Sequence, residues 1–159
     1  MKMPRFASML ALSFILLIPS TMAAEPVTMQ ITDLSAPAKA FPGQSFTVSI
    51  SIQWSGFNNL RYGQGPGGNT FSPPPTPPYG LRVTICEGVE TSCSSPLWQQ
   101  TDKSTDNSGS KTYAIQLAAP QILGSWQLTA SFALSLTWMT NTINLIRDHR
   151  TFDVNISDR

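Results

Sequence analysis

The stretch SFTVSISIQW, residues 45 to 54, places Phe46, Val48, Ile50, Ile52 and Trp54 at every second position, with Thr47, Ser49, Ser51 and Gln53 between them. A helix advances by about 100° per residue and would scatter these five apolar side chains around its surface, whereas an extended chain puts all of them on one side. The segment therefore reads as a strand with one face in a core and the other in water. The same period recurs along the chain. VTMQITDL, residues 27 to 34, alternates Val27, Met29 and Ile31, and LRVTICE, residues 81 to 87, points Leu81, Val83 and Ile85 inward. KTYAIQL sets Tyr113, Ile115 and Leu117 on one face, and WQLTASFALSLTWM does so with Leu128, Ala130, Phe132, Leu134, Leu136 and Trp138. RTFDVNI closes the series with Phe152, Val154 and Ile156, and PLWQQT, residues 96 to 101, is a short strand entered through Pro96 and suited to a sheet edge.

Between these runs lie turns marked by Gly, Pro and Asn. TDKSTDNSGS, residues 101 to 110, reads as polar turn material without a core residue, and NTINLIRDH, residues 141 to 149, as a loop. Seven alternating segments predict an all-β fold, a single two-sheet antiparallel sandwich of immunoglobulin-like topology. No repeat of 20 to 50 residues is visible, which excludes a solenoid or propeller.

The N-terminus is of another kind. MKMPR carries two positive charges, and residues 6 to 19 form an apolar run closed by Pro19 and small residues up to Ala23 and Ala24. The run is shorter than the roughly 20 residues that cross a bilayer, so it reads as a secretory signal peptide over residues 1–24, cut after Ala23 or Ala24. Residues 25–159 then form one domain, expected to be secreted, periplasmic or at the cell surface. A net charge of +1 with 12% charged residues supplies no field for nucleic acid or anionic lipid. The 13 prolines and 10 glycines suit strands joined by turns.

Export decides the reading of ICEGVETSC, which holds both cysteines. Zinc would need four ligands, and the only histidine of the chain, His149, is distant in sequence. The spacing is not Cys-x-x-Cys, and no helical pattern follows it. A Cys86–Cys93 disulfide clamping a hairpin is the expectation.

PGQSFTVSISIQW, LRVTICEG, GSWQLTASF and the closing FDVNI resemble the bacterial and archaeal surface Ig-like domains of the CARDB and related adhesion-module type. In those domains a proline-glycine turn leads into the second strand and a Gly-aromatic pair into the penultimate one. The resemblance spans about residues 27 to 157. It implies an Ig-like sandwich and a noncatalytic role in adhesion.

Sandwich topology collects the three longest irregular segments, 55 to 79, 102 to 110 and 140 to 149, at one end. The first is long for a connection and carries Phe57, Tyr62, Phe71 and Tyr79. These rings either fold back over the core edge or anchor a partner protein or glycan. His149, beside Arg147 and Asp148, is the one acid-base candidate, with no motif supplying it a nucleophile or orienting group. Asn155-Ile156-Ser157 is a glycosylation sequon, with Asn155 on the outward face. Nothing in the sequence asks for a cofactor or metal. The functional expectation is a noncatalytic exported module for surface attachment, protein or glycan binding, or envelope structure. One rival is a filament or surface-layer subunit in which VTMQITDL adds as a strand to a neighbouring copy. The other is an enzyme built around His149.

Overall fold

The computed structural model describes residues 26–65, 70–89, 93–138 and 140–158. Residues 1–24, read above as a signal peptide, lie outside the described residues, as do residues 66–69 of the long connection. The strands that period two placed all form, and the PLWQQT strand runs instead from Trp98 to Ser104. The elements are β1 (Thr28–Ser35), β2 (Lys39–Ala40), β3 (Ser45–Ser55), α1 (Phe57–Arg61), β4 (Tyr79–Glu87), β5 (Trp98–Ser104), β6 (Gly109–Ala118), β7 (Gly124–Trp138) and β8 (Asn141–Ile156). They build two sheets, one of three strands in the order β1-β3-β6 and one of five in the order β2-β8-β7-β4-β5. All pairings are antiparallel except that of β2 with β8.

The two inner faces close on each other. Ile31, Val48, Ile50, Ile52 and Ile115 from the smaller sheet meet Leu81, Val83, Ile85, Leu128, Phe132, Leu134 and Val154 from the larger one, and every one of them is buried. Burying a side chain of this size contributes about 1.5–3 kcal/mol, which makes this layer the main source of stability. β4 is an interior strand of its sheet and buried on both faces, so Thr84 and Cys86, opposite in parity to the core set, are also shielded from water.

Two segments differ from their sequence reading. Residues 141–149 are not a loop: β7 and β8 pair as one long antiparallel ladder that reaches Trp138 opposite Asn141. Here Ile143 and Leu145 are only half-buried, because this stretch pairs beyond the sandwich core, so the apolar contrast that marks a strand is weak. His149 accordingly sits in a strand, opposite Ser131. Residues 101–110 are not all turn either. β5 runs to a buried Ser104 and β6 begins at Gly109, which leaves a short connection at 105–108. Its polar sequence pairs because β5 is an edge strand, with little apolar surface to bury.

Strand ends define two poles. Residues 56–78, the 105–108 turn and the β7–β8 turn gather at one, called here the loop pole. The β4–β5 connection with its disulfide, the 41–44 turn, the 119–123 turn and the end of β8 gather at the other, the disulfide pole.

Candidate functional site

At the loop pole the chain leaves β3 through Gly56, whose φ of 79° lies in the left-handed region and whose Cα has the Pro26 carbonyl pressed against it. Only glycine turns the chain here without strain. The turn delivers α1, which rotates Phe57 and Leu60 into the core. Phe57 stacks near Trp54 at a centroid distance of 6.2 Å and meets Tyr79 edge-on at 5.5 Å. The 105–108 turn braces α1: Asn107 accepts the N–H groups of Phe57 (3.1 Å, through its backbone carbonyl) and Asn58 (2.7 Å, through its side chain), and Arg61 donates to the Thr105 carbonyl at 2.8 Å.

The four aromatic rings therefore divide. Phe57 and Tyr79 are each 1% exposed and belong to the core. As folded they offer no surface to a partner, because closing the open end of the sandwich buries their full area. Phe71 is half-buried and packed against the same cluster, with its N–H donated to the Gly63 carbonyl at 2.6 Å. Tyr62 alone projects, 79% exposed. Burial raises the pKa of Tyr79, with the nearby Arg61 opposing the shift.

The disulfide pole presents what the sequence reading did not single out. Ile122 and Leu123, adjacent in the 119–123 turn, are 80% and 52% exposed, and Val89 and Leu97 are exposed on the β4–β5 connection. For Ile122 and Leu123 the signal was available, since ILG is an apolar pair inside turn-forming sequence that no strand face claims, whereas Leu97 was read into the PLWQQT strand, which begins only at Trp98. Close by, Phe41, Pro42, Gly43, Gln44 and Asp158 line a shallow cleft of about 580 Å³, with the Lys39 ammonium 5.7 Å from the Phe41 ring centre. Cys86 and Cys93 are joined, with Cα atoms 6.0 Å apart, and tie the end of β4 to its connection. The disulfide anticipated from ICEGVETSC is present.

The titratable side chains are engaged in architecture. Asp102 on β5 accepts Lys111 Nζ at 2.6 Å and Tyr113 Oη at 2.7 Å, both on β6, together with Gln100 Nε2 at 3.0 Å. This bridges the edges of the two sheets, and Trp98 packs edge-on to Tyr113 at 5.9 Å beside it. The Lys111 bond, aided by those from Gln100 and Tyr113, holds the Asp102 carboxyl below the usual carboxylate range against the effect of burial. Burial first, and then the Asp102 charge, push the Tyr113 phenol well up. Asp148 accepts two backbone N–H groups, from Ile31 at 2.7 Å and from His149 at 2.9 Å. His149 is exposed. Asn155 is exposed on β8, while its backbone N–H is bonded to the Ala38 carbonyl. Among the described residues no group of three His, Cys, Asp or Glu side chains is placed to hold a metal, and no helix is long and apolar enough to cross a membrane.

No family model matches the chain, and no curated protein does. Among solved structures it is similar to the CARDB domain of a Pyrococcus furiosus protein crystallised in complex with di-metal ions. That likeness has 14% identity and a TM-score of 0.40 over 82% of this chain and 91% of the other. The protein is an all-β, two-sheet sandwich.

Proposed function

We propose that this protein is a noncatalytic, exported Ig-like module that attaches to a partner protein at the cell surface through the end of its sandwich. The observation that carries the reading is the exposure of Ile122 and Leu123, with Val89 and Leu97 at the same pole. Single exposed apolar residues are ordinary, but four at one end of a small domain mark a contact surface. Their aliphatic character favours a protein, since a glycan would ask for aromatic rings. The disulfide supports the exported setting, because such bonds persist in oxidising compartments.

Tyr62 supports a second contact at the loop pole, for a protein or a glycan, as the one projecting ring of the long loop. Capture of partners from envelope extracts by the immobilised domain separates the two. A double change Ile122→Ser and Leu123→Ser is expected to abolish capture while Tyr62→Ala leaves it intact. The reverse outcome moves the working surface to the loop pole, and capture that survives all three changes overturns the proposal.

A further inference from the structure

The four sheet edges of this sandwich are not equivalent. An exposed strand edge presents unpaired N–H and C=O groups that another chain can pair with, and proteins close such edges by bulges, charges, prolines or very short strands. β2 has two residues and lies between Pro37 and Pro42. β5 is entered through Pro96 and carries an exposed Lys103. β1 bulges between Ile31 and Asp33, and at that point Asp148 of the other sheet takes the Ile31 N–H. β6 differs from all three. It is ten residues long, has no proline, pairs with β3 along its whole length and, among the described residues, has no strand on its other side. Its outward side chains Ser110, Thr112, Ala114 and Gln116 are exposed and uncharged, and its one charge, Lys111, is held by Asp102.

From this we infer that β6 is a docking edge for a second copy of the chain, pairing antiparallel, β6 against β6, so that two three-stranded sheets join into one. In a strand paired on one side, every second residue turns its N–H and C=O outward, so about five residues of β6 offer a ladder to the partner. An antiparallel two-fold pairing is self-complementary, and the uncharged outer face sets no like charges against each other. The assembly closes at two. A filament growing through this sheet would need both of its edges open, and Asp148 closes β1. Strand addition by VTMQITDL has the same obstacle, since that segment is already paired with β3 of its own chain. The dimer lies along the flank of the sandwich and leaves both poles open, so it stands apart from the partner proposed above.

Sedimentation velocity on the protein expressed from its full coding sequence, over a dilution series, tests this. The expected result is a monomer–dimer equilibrium with no larger species. An antiparallel two-fold brings the two strand centres together, so Ala114→Lys or Gln116→Lys, each at an exposed site, should weaken dimerisation at least tenfold with an unchanged thermal midpoint. Alternate β6 amides should gain hydrogen-exchange protection as concentration rises. A monomer at all concentrations up to millimolar, a dimer indifferent to both lysine variants, or open-ended chains would each overturn the inference.

Discussion

The Asp148 carboxylate on β8 accepts the backbone N–H of Ile31 on β1 at 2.7 Å, so a side chain of one sheet closes the edge of the other. The bond forms where two irregularities face each other. β1 shifts register between Ile31 and Asp33, and the β7–β8 ladder shifts between Phe132 and Ala133, whose partners are Asp148 and Ile146. The bulges break both ladders locally, and the carboxylate satisfies an amide that the break would leave unpaired.

Removing that acceptor should cost stability in a graded way. Asp148→Ala strands the Ile31 N–H and is expected to lower the unfolding free energy by about 1–3 kcal/mol, while Asp148→Asn keeps an acceptor oxygen and should cost less than half of that. Denaturant titration of the two variants checks the order, and equal losses would show that the bond is not what Asp148 contributes.

The bridge between Asp102 and Tyr113 makes stability depend on pH at both extremes. Asp102 has a depressed pKa, so its contribution is complete above the ordinary carboxylate value near 4 and is lost as pH falls through the lower folded value. Tyr113 has a raised pKa, so its contribution is complete below its ordinary value of 10.0 and is lost as pH rises through the higher folded value. Tyr113→Phe should cost about 1 kcal/mol near neutrality and flatten the alkaline limb. Tyr79, raised by burial, should retain its part of that limb. Thermal midpoints measured across the pH range in both proteins test the assignment.

Gly109 lies against the indole of Trp54, and a Cβ built there would stand 2.8 Å from Cη2 and nearer still to Cζ2. Trp54 is buried beside Phe57 and has little room to retreat. Gly109→Ala should therefore destabilise by about 1–3 kcal/mol, as overpacking does. Differential scanning calorimetry reads this directly.

The loop-pole rings separate core from surface in one experiment. Phe57→Ala and Tyr79→Ala each remove a fully buried ring and should cost about 3–5 kcal/mol. Tyr62→Ala should change stability by less than about 0.5 kcal/mol.

Opening the disulfide should cost about 2.5 kcal/mol in the chain-entropy picture of a loop this short. Thiol labelling is expected to find both cysteines only after reduction, and two accessible thiols beforehand would contradict the Cys86–Cys93 link.

Residue spacing alone determined the core strands of this protein. Phe46, Val48, Ile50, Ile52 and Trp54 can share a face only in an extended chain, and all five are buried in β3. The disulfide was legible for a related reason, since a chain with two cysteines offers each only the other as a partner. Tertiary structure decided the rest, because the deciding partners are far apart in sequence. Residues 141–149 extend because β7 offers them a ladder, although their own apolar contrast is weak. Phe57 and Tyr79 look alike with Tyr62 in sequence, yet α1 turns Phe57 into the core and the start of β4 carries Tyr79 there, while Tyr62, just past α1, projects. Which edge is closed also depends on a contact between Ile31 and Asp148, 117 residues apart, that no local pattern encodes.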